Sequence, residues 1–89
     1  ERMQVIMEML ISLFERAYLT SYDDHMTPRQ RRRWNSWEDF MREWAQRDEF
    51  YYRLPQLLKG EDAEFSAYLR RLAEDERAQL RGSPPLVSG

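Results

Sequence analysis

Apolar residues recur through the first part of the chain at Met3, Ile6, Met7, Leu10, Leu13, Phe14 and Ala17, the i, i+3, i+4, i+7 spacing of one helix face. At about 100° per residue, Ile11, Tyr18 and Tyr22 widen that face to about half the circumference. So wide a face predicts a helix that touches two neighbours. Val5 and Met9 fall on the otherwise polar side with Glu8, Ser12 and Arg16. They are either singly exposed, as isolated apolar residues often are, or part of a contact with a second subunit or with sequence upstream of Glu1.

After Asp23-Asp24-His25, the run Thr27-Pro28-Arg29-Gln30 matches a capping box, with Thr at N-cap, Pro at N1 and Gln at N3. The pattern predicts a second helix from Pro28 to about Gln46. Trp34, Trp37, Phe40, Met41 and Trp44 point inward in this reading, and the Glu38/Arg42 and Glu43/Arg47 pairs lie on the outer surface. Asp48 is expected to cap a short third helix carrying Phe50, Tyr51, Tyr52 and Leu54. Pro55, which lacks an N–H and crowds the preceding turn, should kink that helix or divide it. Lys59-Gly60 reads as a stop and Asp62 as the N-cap of a last helix. Its inner face is Phe65, Tyr68, Leu69, Leu72 and Ala73, with Leu80 as an extension, and Gly82 ends it.

The pattern therefore predicts an all-α fold, a small antiparallel bundle of three principal helices plus a short kinked one. The domain spans residues 1–82, and residues 83–89, Ser-Pro-Pro-Leu-Val-Ser-Gly, have the composition of a disordered tail. Phe14, Trp34, Trp37, Trp44 and Phe65 are the expected structural anchors, since each buried aromatic removes about 150 to 250 Å² from water. Strand alternation and internal repeats are both lacking.

Charge narrows the partners. Fourteen Lys and Arg against sixteen Asp and Glu give a net charge of −2, so no global field favours nucleic acid or an anionic membrane. Any such binding needs a local patch, and Arg29, Arg31, Arg32 and Arg33 are the one concentration of cations. On a helix they do not make a single stripe: Arg29 and Arg33 project together, Arg32 lies farther round and Arg31 nearly opposite. Cations near a helix N-terminus also oppose its dipole. Ion pairs with Asp23, Asp24, Glu61 or Asp62, and packing of the arginine stems over the Trp rings, are therefore the expected use of this cluster. A nucleic-acid-binding module using Arg29, Arg32 and Arg33 is the alternative.

Candidate chemistry is sparse. Zero cysteines exclude disulfides and thiolate metal sites, which suits a reducing, cytoplasmic setting. Asp23-Asp24-His25 offers three ligand types in one loop, but adjacent residues seldom converge on one centre, and the expected number of metal sites and cofactors is none. Glu61, Asp62 and Glu64 read as helix-start residues. No phosphate loop, nucleophile elbow or His-based pair is present, so no catalytic residue is assigned and an enzyme ranks third. The five tyrosines at 18, 22, 51, 52 and 68 are expected at the rim of the core. The stretch from Met3 to Leu19 falls short of the roughly 20 apolar residues of a membrane span and is interrupted by Glu8, Ser12, Glu15 and Arg16. Because the apolar pattern begins at once after Glu1, the chain reads as part of a longer protein.

Leu13-Phe14-Glu15-Arg16-Ala17-Tyr18, Arg33-Trp34-Asn35-Ser36-Trp37-Glu38-Asp39-Phe40 and Phe65-Ser66-Ala67-Tyr68-Leu69 carry a resemblance. Together they resemble a group of uncharacterised bacterial proteins with Phe-Glu-x-x-Tyr, Trp-x-x-Trp-Glu and Glu-Phe-x-x-Tyr in that order, often behind an N-terminal transmembrane helix. The resemblance covers about residues 8 to 73. It implies a helical domain of a bacterial protein, a membrane tether upstream of residue 1, and no catalytic residues. The arginine cluster is not part of it. The resulting expectation is a non-catalytic interaction or regulatory module whose partner is another protein or a second copy, through Val5 and Met9.

Overall fold

The computed structural model describes residues 2–82. Within them the chain forms four helices: α1 (Arg2–Ser21), α2 (Pro28–Ala45), α3 (Asp48–Leu57) and α4 (Ala63–Gly82). Among the described residues there is no strand, and no helix is long and apolar enough to cross a membrane. The tail expected at 83–89 lies outside the described residues.

The start of α2 follows the capping-box chemistry. Gln30 N–H donates to Thr27 Oγ1 at 3.1 Å, and Thr27 N–H donates to Gln30 Oε1 at 2.9 Å. Two backbone donors that no helical carbonyl can reach are thereby satisfied. Thr27→Ala should cost about 0.5 to 2 kcal/mol. Chemical denaturation is the check, and a Thr27→Asp variant, which keeps an acceptor at the cap, should recover most of the loss.

The second connection departs from expectation. Asp48 is the first residue of α3 rather than its cap, and the N-cap position is Arg47, which makes no side-chain cap bond. The Asp48 carboxylate instead receives Arg77 Nη2 at 2.7 Å. Arg77 also donates to the Gln46 carbonyl at 3.3 Å, so a cation from α4 meets the carbonyl end of α2 as well as the Asp48 carboxylate. Pro55 does not divide α3. It is the eighth residue of a ten-residue helix, so the backbone bond it forfeits lies in the last turn. Leu58 N–H still closes onto the Leu54 carbonyl at 2.9 Å. Gly60 turns the chain at φ 86°, a left-handed value that disfavours any residue with a Cβ. Asp62 caps α4, accepting Phe65 N–H at 3.0 Å.

Helix order in space follows from cross-helix contacts. Tyr22 and Tyr18 meet Trp34 while Phe14 meets Trp37 and Phe40, so α1 and α2 run antiparallel. Trp34 reaches Tyr68, Arg42 reaches Asp75, and Gln46 reaches Glu76, so α2 and α4 ascend together. The short α3 carries the chain back from the end of α2 towards the start of α4. Tyr51 on Glu74 and Asp48 on Arg77 make α3 antiparallel to α4.

The core is Met7, Ile11, Phe14 and Ala17 of α1, Trp34, Met41 and Ala45 of α2, Phe50, Leu54 and Leu57 of α3 with Leu58 after it, and Phe65, Leu69, Leu72 and Ala73 of α4. Phe14, Trp34 and Phe65 are fully enclosed, whereas Trp37 and Trp44 pack against the core and stay half-buried. Four residues expected to face inward do not. Ile6 and Leu13 are 44% and 45% exposed: α1 meets α2, α3 and α4 rather than the two neighbours expected, and even these three cover a narrower arc than its apolar residues span. Phe40 is 37% exposed, with an edge contact to the Phe14 ring. Leu80 is exposed, since α4 extends past the end of the core.

Candidate interaction surface

The residues considered for chemistry are distributed over separate parts of the surface. Asp23 accepts the His25 N–H at 3.0 Å, a local turn that uses the carboxylate within its own loop. Among the described residues no cluster of three His, Asp or Glu is arranged to hold a metal ion. Asp62 caps α4, and its own N–H donates to Glu15 Oε2 of α1 at 2.7 Å. Burial first, then the hydrogen bond and charge of Glu15, raise the neighbouring Glu61 carboxyl above its ordinary value. This acidic group thus ties α1 to the α3–α4 turn.

Three tyrosines form a structural cluster. Tyr18 stacks on Tyr22 with ring centroids 4.8 Å apart, and Tyr68 lies 5.1 Å from Tyr18 and 5.2 Å from Tyr22. The buried Trp34 indole lies against all three, donating its N–H to the Tyr68 hydroxyl at 2.9 Å. Burial is the main reason that the Tyr68 phenol is pushed up to about 12. Its oxygen is a neutral partner for the indole rather than a group poised to ionise. Beside this cluster, Tyr18, Tyr22, Asp23, Asp24, Glu64 and Arg71 line an open depression of about 500 Å³.

The arginines of α2 do not do what their positions suggested. Arg29, Arg31, Arg32 and Arg33 are all exposed, and among the described residues none makes an ion pair or lies over a ring. Asp23, Asp24, Glu61 and Asp62 do not pair with them. The cation–aromatic contacts are made elsewhere: Arg47 lies 4.4 Å from the Trp44 ring centroid and Arg77 lies 4.5 Å from that of Tyr51. Arg47 therefore covers Trp44, and among the described residues no ion pair joins it to Glu43. Glu38/Arg42 does form, at 3.3 Å. It is not an outer-surface pair, because Arg42 also reaches Asp75 at 3.0 Å and Glu76 at 3.2 Å across the α2–α4 seam.

Helix α1 presents the distinctive surface. The described residues include eight large hydrophobic side chains that are exposed, and five of them, Val5, Ile6, Met9, Leu13 and Leu19, belong to this one helix. Val5 and Met9, singled out by their position on the polar side, are 51% and 65% exposed. They line an open groove of about 450 Å³ with Glu8, Ser12, Leu13 and Arg16. Reading the periodicity alone misses Ile6, Leu13 and Leu19. A signal was available, because an apolar arc wider than the packed neighbours can cover must leave some of its members in water. Scattered exposed apolar residues are ordinary, but their concentration on one helix is not.

Comparison of the chain with protein-family models, with curated proteins and with solved structures finds no match.

Proposed function

We propose that this chain is a non-catalytic helical module of a larger bacterial protein that binds another polypeptide through the outer face of α1. The observation that carries the reading is the gathering of Val5, Ile6, Met9, Leu13 and Leu19 on that helix, turned away from the Met7, Ile11 and Phe14 side that builds the core. Burying such a face against a second polypeptide releases about 25 cal/mol for each Å² of apolar surface removed from water. Glu8, Ser12 and Arg16, exposed on the same helix, supply the polar and charged groups that fix register across such an interface.

Photo-crosslinking tests it. A benzophenone side chain at Met9 should form adducts with a polypeptide in cells producing the chain, and the same group at the exposed Arg31 should not. Val5→Glu should abolish the Met9 adduct while leaving the helical circular dichroism intact. Equal background at both positions would overturn the reading.

The bare exposure of Arg29, Arg32 and Arg33 favours one second reading, a phosphate-contacting surface on α2. Its test is the salt dependence of duplex binding, which for three phosphate contacts on B-DNA has a slope of about −2.7 in log K against log salt.

A further inference from the structure

The outer face of α1 has a symmetry of its own. Val5, Glu8, Ser12, Arg16 and Leu19 lie within an arc of about 80° at 100° per residue, on the side away from the core. All five are exposed. Their spacings are three, four, four and three residues, the same read in either direction from Ser12. The residue types also match the requirement of a two-fold axis through Ser12. Val5 is then set opposite Leu19, and the acidic Glu8 opposite the basic Arg16. Ser12 at the centre is small enough for two helix backbones to approach. Met9, the most exposed apolar residue of this helix, flanks the seam and would cover one side of it.

From this pattern we infer that the occupant of the α1 face is a second copy of the same chain, joined by antiparallel pairing of α1 with its counterpart about Ser12. The inference rests on the reading of α1 as the binding surface and specifies its partner. Within one chain, Glu8 accepts a hydrogen bond from Gln4 at 3.0 Å, and among the described residues Arg16 has no ion-pair partner. In the pair, Arg16 of each copy meets Glu8 of the other, giving two reciprocal ion pairs between two apolar layers. An interface is isologous under a two-fold axis, so a surface that complements itself in this way meets that geometric condition. Val5 and Leu19 are about 21 Å apart along the axis at 1.5 Å per residue. A seam of that length belongs at or below the small end of specific interfaces, roughly 1,200 Å², so association should depend on concentration.

Sedimentation equilibrium across about 1 μM to 1 mM tests the inference. The wild type should pass from 10.9 kDa to twice that mass. Glu8→Arg and Arg16→Glu each place like charges opposite one another twice, and each should weaken self-association about tenfold or more. The double variant Glu8→Arg/Arg16→Glu restores opposite charges and should regain the wild-type affinity. An equimolar mixture of the two single variants should associate as strongly as wild type. These positions are exposed, and at concentrations where the wild type is monomeric the thermal melts of all variants should coincide with its own.

A dimer that neither single reversal weakens overturns the antiparallel pairing, because parallel pairing sets Glu8 against Glu8 and Arg16 against Arg16 in every case. A wild type that stays at 10.9 kDa, with the Met9 crosslink going to a different polypeptide, overturns self-pairing and leaves the interaction reading standing. A monomer with no Met9 crosslink overturns both.

Discussion

Trp34→Ala is expected to cost about 3 to 5 kcal/mol, because it removes a large enclosed side chain and leaves a cavity that its neighbours refill only in part. The indole is 1% exposed and lies against Tyr18, Tyr22 and Tyr68. Its removal also strips the Tyr68 hydroxyl of its donor. At about 0.05 to 0.15 kcal/mol per residue, a domain of this size has a total stability of roughly 5 to 13 kcal/mol. The variant should melt far below the wild type in a circular dichroism scan. Trp37→Ala should lose less, because that ring is only half-buried. Equal losses at the two positions would show that enclosure does not rank the tryptophans of α2. Trp34→Phe, which fills much of the volume without the N–H, should fall between wild type and Ala.

Arg42→Met should destabilise the domain by about 2 to 3 kcal/mol, less than the loss from breaking a fully buried pair because Arg42 is partly exposed. The guanidinium bonds Glu38, Asp75 and Glu76 at 3.3, 3.0 and 3.2 Å. Burial works against its charge, and the hydrogen bonds to Asp75, Glu76 and Glu38 more than offset that effect, holding its pKa above the ordinary value. Met preserves most of the apolar stem, so the loss isolates the charge. Glu76, 8% exposed, would then keep only the Gln46 amide at 2.8 Å. Glu76→Gln added to Arg42→Met should recover part of the loss, since it removes the stranded negative charge. A double-mutant cycle in urea gives the coupling, and strictly additive losses would exclude the network as a link between α2 and α4.

Local signals in the chain were sufficient wherever the interaction concerned lies within a few residues. Thr27 and Gln30 are three positions apart, so the box that starts α2 forms from its own sequence. The stop at Gly60 and the cap at Asp62 are of the same kind. Asp48 failed as a cap for a non-local reason: Arg77, twenty-nine residues on, takes its carboxylate. Pro55 leaves α3 whole because its cost depends on distance from the helix end, and α3 stops two residues later.

The interaction surface was only half legible. Val5 and Met9 stand out against a polar background, so their positions mark them in the sequence. Ile6 and Leu13 carry the spacing of core residues, and whether such residues meet protein or water is decided by how much of α1 its neighbours cover. Arg29, Arg32 and Arg33 show the same limit in reverse, since adjacency to tryptophans in sequence did not bring them over the rings. By itself the sequence determined the all-helical class, the boundaries set by caps and stops, and the apolar side of each helix, because these follow from bonds and periodicities a few residues long. Tertiary structure alone decided which tryptophan is enclosed, which carboxylates Arg42 reaches on α4 and Arg77 on α3, and which apolar residues of α1 remain in water, because each depends on separate helices that the fold brings together.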